Sequence, residues 1–240
     1  MTDNNEQLFL IYKLRFENGD SLQYRFDQSD DTISLNHGED LPHAEWMQLS
    51  HNQCDNCPLS AESHPDCPVA INLAVLLKDW HSSISFNKVQ VEVISPQRTV
   101  SADTTAQKVL SSLLGLIIAT SDCPHTHFFR AMAQFHLPLA SSDETSFRAI
   151  SNYLFTLYLR HQNGEQVDFD LSGLMQIYEN MHTVNIGLKK RLESAVENDA
   201  ALNAVVILDL LAITLPCYFD DEIEKFRQLF SKFLDKDLPK

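Results

Sequence analysis

Four of the five cysteines in the chain fall in two polar stretches. His51-Asn52-Gln53-Cys54-Asp55-Asn56-Cys57-Pro58 leads on to His64-Pro65-Asp66-Cys67-Pro68, and Asp122-Cys123-Pro124-His125-Thr126-His127 comes much later. Cysteine usually scatters through apolar cores as a small hydrophobe. Here it sits among Asp, Asn, His, Ser and Pro, the setting of a ligand. Cys54 and Cys57 form a CxxC pair that can turn two thiolates onto one ion. With Cys67 and Cys123 they complete a tetrahedral all-cysteine set, which suits zinc. His51, His64, His125 and His127 are the substitute ligands if Cys123 does not reach the other three. Cys57, Cys67 and Cys123 each precede a proline, a pairing also found where thiolates hold iron–sulfur clusters, so a [4Fe–4S] cluster is the alternative cofactor. A thioredoxin-like role fits less well, because no βαβ pattern surrounds the CxxC.

Pro68 and Pro124 suit the first position of a helix, which puts Cys67 and Cys123 at N-caps. A thiol there is expected to have a lowered pKa. Cys123 with His125 or His127 could instead make a nucleophile and its base, but histidines flanking a helix with Phe128, Met132 and Phe135 in the core are the simpler reading. Asp209, Glu179 and His182 lie among apolar neighbours and could line a polar pocket, although solvated faces account for them as well. Cys217 follows Pro216 and reads as packing. With 6 glycines, and with no nucleotide-cradling loop, GxSxG or HExxH in the chain, most nucleotide and hydrolase machinery is excluded.

The elements that must position these residues follow from periodicity. Residues 8–16 and 22–26 alternate around Asn18-Gly19 and predict a hairpin. Thr32 to Leu35 is a third strand, His37 to Pro42 a loop, and Trp46 to Leu49 a short strand leading to the cysteines. Pro68 to Trp80 is a helix with Val69, Leu73, Leu76 and Leu77 on one face. Val89 to Val93 is a strand of the same sheet, and Thr99 to Thr104 a linker. From Thr105 the chain is almost all helix: 105–119, 124–135, a helix opened by the capping box Ser141-Ser142-Asp143-Glu144, and 172–196. Another follows from Asp199, with apolar residues on more than one face, which places it centrally. The last carries Phe226, Leu229, Phe230 and Phe233 as a buried stripe. The expected fold is α+β and mainly α: a small N-terminal antiparallel sheet over residues 1–100, then a Cys-linked helical bundle over 101–240, packed as one unit.

The bulk numbers bound the function. Of 240 residues 44% are hydrophobic, ample for a core, and 18 basic against 33 acidic residues give a charge of −15. That field disfavours nucleic acid and anionic membranes as partners. The acidic, polar start lacks the features of a secretory leader and no apolar run approaches the ~20 residues of a membrane helix, so a cytoplasmic protein is expected. In a reducing compartment clustered cysteines favour metal or redox chemistry over disulfides.

Cys54-Asp55-Asn56-Cys57-Pro58-Leu59, Cys67-Pro68, Cys123-Pro124-His125-Thr126, Phe128-Phe129-Arg130 and Phe135-His136-Leu137-Pro138-Leu139-Ala140-Ser141 together resemble an uncharacterised family of bacterial proteins. The resemblance implies a bacterial cytosolic origin and transfers no catalytic residue. The expected function is that of a non-enzymatic, zinc-binding protein whose site has a structural role, acting through contacts with another protein or a small molecule. An iron–sulfur or thiol-based redox sensor is the alternative, and an enzyme built on the Cys123 segment a third.

Overall fold

The computed structural model describes residues 8–29, 32–36, 43–80, 87–195, 205, 206, 208–210, 212–214 and 219–234. Strand β1 (Phe9–Phe16) turns into β2 (Ser21–Ser29) through Glu17-Asn18-Gly19, with Gly19 at φ +92°. Glycine alone reaches that left-handed region without a steric cost, and Phe16 N–H donates to the Asp20 carbonyl to close the hairpin. Strand β3 (Thr32–Leu35) pairs with β2, and β4 (Lys88–Ile94) returns to pair with β1 on its other side. The sheet is five-stranded and antiparallel, in the order β3-β2-β1-β4-β5.

The fifth strand, β5 (Thr99–Thr105), corrects the expected linker. Its composition is Thr, Ser, Asp and Ala, with little apolar signal. As an edge strand it needs only one partner, and the ladder from Lys88↔Thr105 to Ile94↔Thr99 supplies it. Thr105 then caps helix α2 (Ala106–Ala119), its side chain accepting from the Lys108 N–H.

Alternation fixes which face is buried. Leu10, Tyr12, Leu14 and Phe16 of β1 and Val89, Val91 and Val93 of β4 lie in the core, with Lys13, Arg15, Gln90 and Glu92 outside. Helix α1 (Pro68–Asp79) and α2 join the same core through Val69, Leu73, Leu76, Leu110, Leu113 and Leu114. Trp80, just past α1, donates its indole N–H to the Tyr24 hydroxyl at 2.8 Å.

After α2 come a 3-10 segment (Pro124–Phe129) and the short α3 (Arg130–Gln134), then α4 (Ser142–Gln162) and α5 (Ser172–Ala195). The capping box at α4 forms as read, with Ser141 accepting from the Glu144 N–H and Glu144 accepting from the Ser141 N–H. Residues 205, 206, 208–210 and 212–214 are helical, and α6 (Phe219–Leu234) ends the described chain.

Three packing expectations change. Phe135 is 77% exposed, because α3 stops one residue earlier and turns its end outward. The stripe on α6 is largely uncovered, with Leu229, Phe230 and Phe233 exposed and Phe226 half-buried. That helix lies at the margin, held through Phe147 of α4, whose ring meets Phe226 edge-on at 5.2 Å. Val206, Leu210 and Ile213 are exposed while Val205 and Ala212 are buried, so among the described residues this helix buries one face rather than lying centrally. Asp199, Cys217 and the loop from His37 to Pro42 lie outside the described residues.

Candidate functional site: a cavity shared by four cysteines

The stretch before the cysteines is not the short strand expected. Glu45–Met47 form one 3-10 turn, and a single antiparallel bridge joins Gln48 to Asp66. Leu49 N–H donates to the Pro65 carbonyl at 2.8 Å, and Cys67 N–H to the Met47 carbonyl at 2.8 Å. These bonds pinch the base of the 49–65 loop and bring Cys67 back beside its start. Inside the loop, Cys57 N–H donates to the Cys54 carbonyl at 3.0 Å, turning the CxxC so that its two side chains share a side.

Cys67 stands at the N-cap position of α1 and Cys123 at that of the 124–129 segment, each with proline next and neither making a side-chain capping bond. The far wall is α5. Asn52 of the loop donates to the Lys190 carbonyl, and Asn56 to the Asn180 carbonyl at 3.1 Å. Val184, Leu188 and Arg191 follow one another at helical spacing along its inner face.

Cys54, Cys57, Cys67 and Cys123 line one small cavity, with His125 and Arg191 beside them. The free volume at its centre is about 20 Å³, room for one water molecule or one ion. All four are free thiols. Among the described residues, no three His, Cys, Asp or Glu side chains stand close enough together to hold an ion as they are. The four cysteines line the cavity without forming a ready ligand set, so gripping an ion requires their side chains to adjust.

The electrostatics depart from the N-cap expectation. Burial pushes the Cys54 thiol up to about 12, with Cys67 and Cys57 adding to the rise and the Arg191 guanidinium opposing it. Burial likewise raises Cys123 to about 11, with the backbone N–H groups of His125 and Thr126 nearby opposing the rise. Loss of water therefore outweighs the helix-start donors at this position. A Cys123 thiol so held is a poor nucleophile at neutral pH, which weakens the enzyme reading. A cation bound beside it would favour the thiolate instead.

The histidines separate. His125 lines the cavity, and its Nε2 lies 2.7 Å from the Asn56 carbonyl. A carbonyl only accepts, so Nε2 carries the proton and Nδ1 is the free lone pair. His51 is bonded to Ser194 and His64 to Ser63, and His127 is exposed; none of the three lines the cavity. Elsewhere, His182 Nδ1 lies 2.7 Å from Asp209 Oδ1 as a partly exposed pair, while Glu179 faces solvent.

Two site residues carry no motif. Gly187 brings α5 against Cys54, and a Cβ there would lie 2.5 Å from Cys54 Sγ. Arg191 is 1% exposed and donates to the carbonyls of Trp46, Gln48 and Leu49 at 2.9, 2.6 and 2.8 Å. It belongs to the Lys189-Lys190-Arg191 triplet, which Glu193 follows and which by sequence marks neither a basic patch nor a site. The signal that marks it is position: it lies three residues beyond Leu188 and seven beyond Val184, on the apolar stripe of α5.

No curated protein and no solved structure matched the chain. A family model described as a domain of unknown function (DUF6901) matches residues 10–231, a span that takes in the sheet, all four cavity cysteines and most of α6. The protein belongs to the DUF6901 family.

Proposed function

We propose that the protein is a zinc-binding protein in which Cys54, Cys57, Cys67 and Cys123 hold one Zn²⁺ as a structural clasp. The observation that carries this reading is that cysteines far apart in sequence line a single cavity of about 20 Å³. Four soft sulfur donors suit zinc, and a four-cysteine site leaves no coordination position open for substrate. The role is therefore structural and non-enzymatic. Metal would tie the pinched loop, the start of α1 and the 124–129 segment together, and hold all three against α5. The protein's work is then done by the surfaces so held, through contacts with another protein or a small molecule.

The size of the cavity favours a single ion over a [4Fe–4S] cluster, whose eight core atoms would need the surrounding elements to part. His125 in place of Cys123 is disfavoured, because Cys123 is buried at the cavity whereas His125 is half-buried and its Nε2 is held by the Asn56 carbonyl.

Elemental analysis of protein purified without chelators tests this directly. One zinc per chain is expected, falling in each single Cys→Ser variant of the four. Protein free of zinc and iron would overturn the reading, and brown protein containing iron would replace it with the cluster.

A further inference from the structure

Among the described residues, Arg191 is the one charged side chain that is fully buried. None of the ion pairs among them involves it. Its two terminal nitrogens are spent on the three loop carbonyls, whereas its Nε–H is buried with no hydrogen-bond partner. A buried cation facing only carbonyl dipoles is costly, and so is an unmade charged hydrogen bond. Both costs point to an anion that belongs beside Arg191. The surface it lines is the cysteine cavity. A Zn²⁺ ion with four thiolates carries a net charge of −2, and with three thiolates and a neutral histidine it carries −1.

We propose that Arg191 is the counter-charge of a four-thiolate zinc centre, giving its Nε–H to one of the sulfurs while its other nitrogens hold the loop that carries them. This rests on the zinc reading above and adds to it. It makes the residue a positioning group that acts on the ion through its ligands, as outer partners of metal ligands commonly do. It also explains why the site takes a fourth cysteine where a histidine stands two residues away. A dianionic centre matches a buried guanidinium better than a monoanionic one.

The test is zinc release to an excess of chelator from the purified full chain, compared for the unmodified protein, Arg191→Lys and Arg191→Gln, with circular dichroism confirming that each is folded. Lysine keeps the charge and glutamine keeps hydrogen-bonding capacity without it. If charge is what the site uses, Arg191→Lys releases zinc within about threefold of the unmodified rate and Arg191→Gln about tenfold faster or more. Lysine and glutamine behaving alike would show Arg191 to be a loop clamp only, and the proposal would fall. Should the variants not fold, the unmodified chain loaded with Co²⁺ decides: a four-thiolate charge-transfer spectrum is expected, and a three-thiolate one overturns the pairing. Unmodified protein that binds neither metal refutes the zinc reading itself, a different result from any of these.

Discussion

Gly187 and Cys54 touch across the cavity wall: a Cβ on Gly187 would stand 2.5 Å from the Cys54 sulfur and 3.5 Å from its Cα. The contact ties the helix to the cysteine loop more closely than any side chain would allow. Glycine inside a helix otherwise costs about 1 kcal/mol relative to alanine, so its use in the middle of α5 is explained by the approach of the loop.

Gly187→Ala consequently has an informative sign. On propensity alone it would stabilise the helix. We expect the reverse, a loss of about 1–3 kcal/mol as the sulfur is displaced, together with lowered zinc content. Urea titration and elemental analysis check the two effects. A gain in stability with full metal content would show that Cys54 need not stand where it does.

If the four cysteines hold zinc as proposed, removing it should lower stability strongly and through one site. A ligand present at about a thousand times its dissociation constant contributes about 4 kcal/mol, and chelation should remove a contribution of that order. Cys123→Ser should lose as much as Cys54→Ser despite their separation in sequence. After chelation the two variants and the parent should melt within a few degrees of each other. Unequal losses between Cys54 and Cys123 would mean that the cysteines do not act on one ion.

Acid should destabilise the protein through His136. Its Nε2 is hydrogen-bonded to the Tyr12 hydroxyl, which also meets Ser112 Oγ at 2.9 Å. Burial, with Arg148 nearby, pushes the His136 pKa down to about 3, and burial raises that of Tyr12. The ring is therefore neutral in the folded chain. The unfolded state takes up a proton near pH 6.5 and the folded state only near 3. Stability is then complete above about pH 6.5 and falls through that window, by on the order of 1 kcal/mol per pH unit at most. Urea midpoints at pH 7, 5 and 4 should fall less in His136→Gln than in the parent. Equal slopes would remove His136 as the cause.

The final helix should detach before the rest. Phe147 meets Phe226 at 5.2 Å and stacks on Phe230 at 6.5 Å, and Lys225 reaches Asp143 at 2.5 Å. Phe147→Ala should cost about 1–2 kcal/mol, less than a fully buried ring, and expose residues 219–234 to protease. Zinc content should be unaffected. Protection of that segment in the variant would show that other contacts hold it.

Local rules wrote much of this fold into the chain. The Asn18-Gly19 hairpin, the alternation of Val89, Val91 and Val93, the prolines at helix starts and the Ser141 capping box each depend on residues a few positions apart, where periodicity and turn chemistry act. The cysteines advertised themselves by sitting in polar surroundings. What sequence could not fix is what depends on partners far along the chain. Thr99–Thr105 became a strand because β4 lay open beside it. Phe135 and most of the α6 stripe stayed exposed because, among the described residues, none was placed to cover them. The rise of the Cys123 pKa in place of the expected fall came from burial, a property of the whole fold. Above all, the meeting of Cys54, Cys57 and Cys67 with Cys123 was decided by tertiary structure, through the pinch at Leu49 and Pro65 and the α5 wall at Gly187. Arg191 belongs to that second class: in sequence it is the end of a basic triplet, and only packing makes it a buried charge beside four sulfurs.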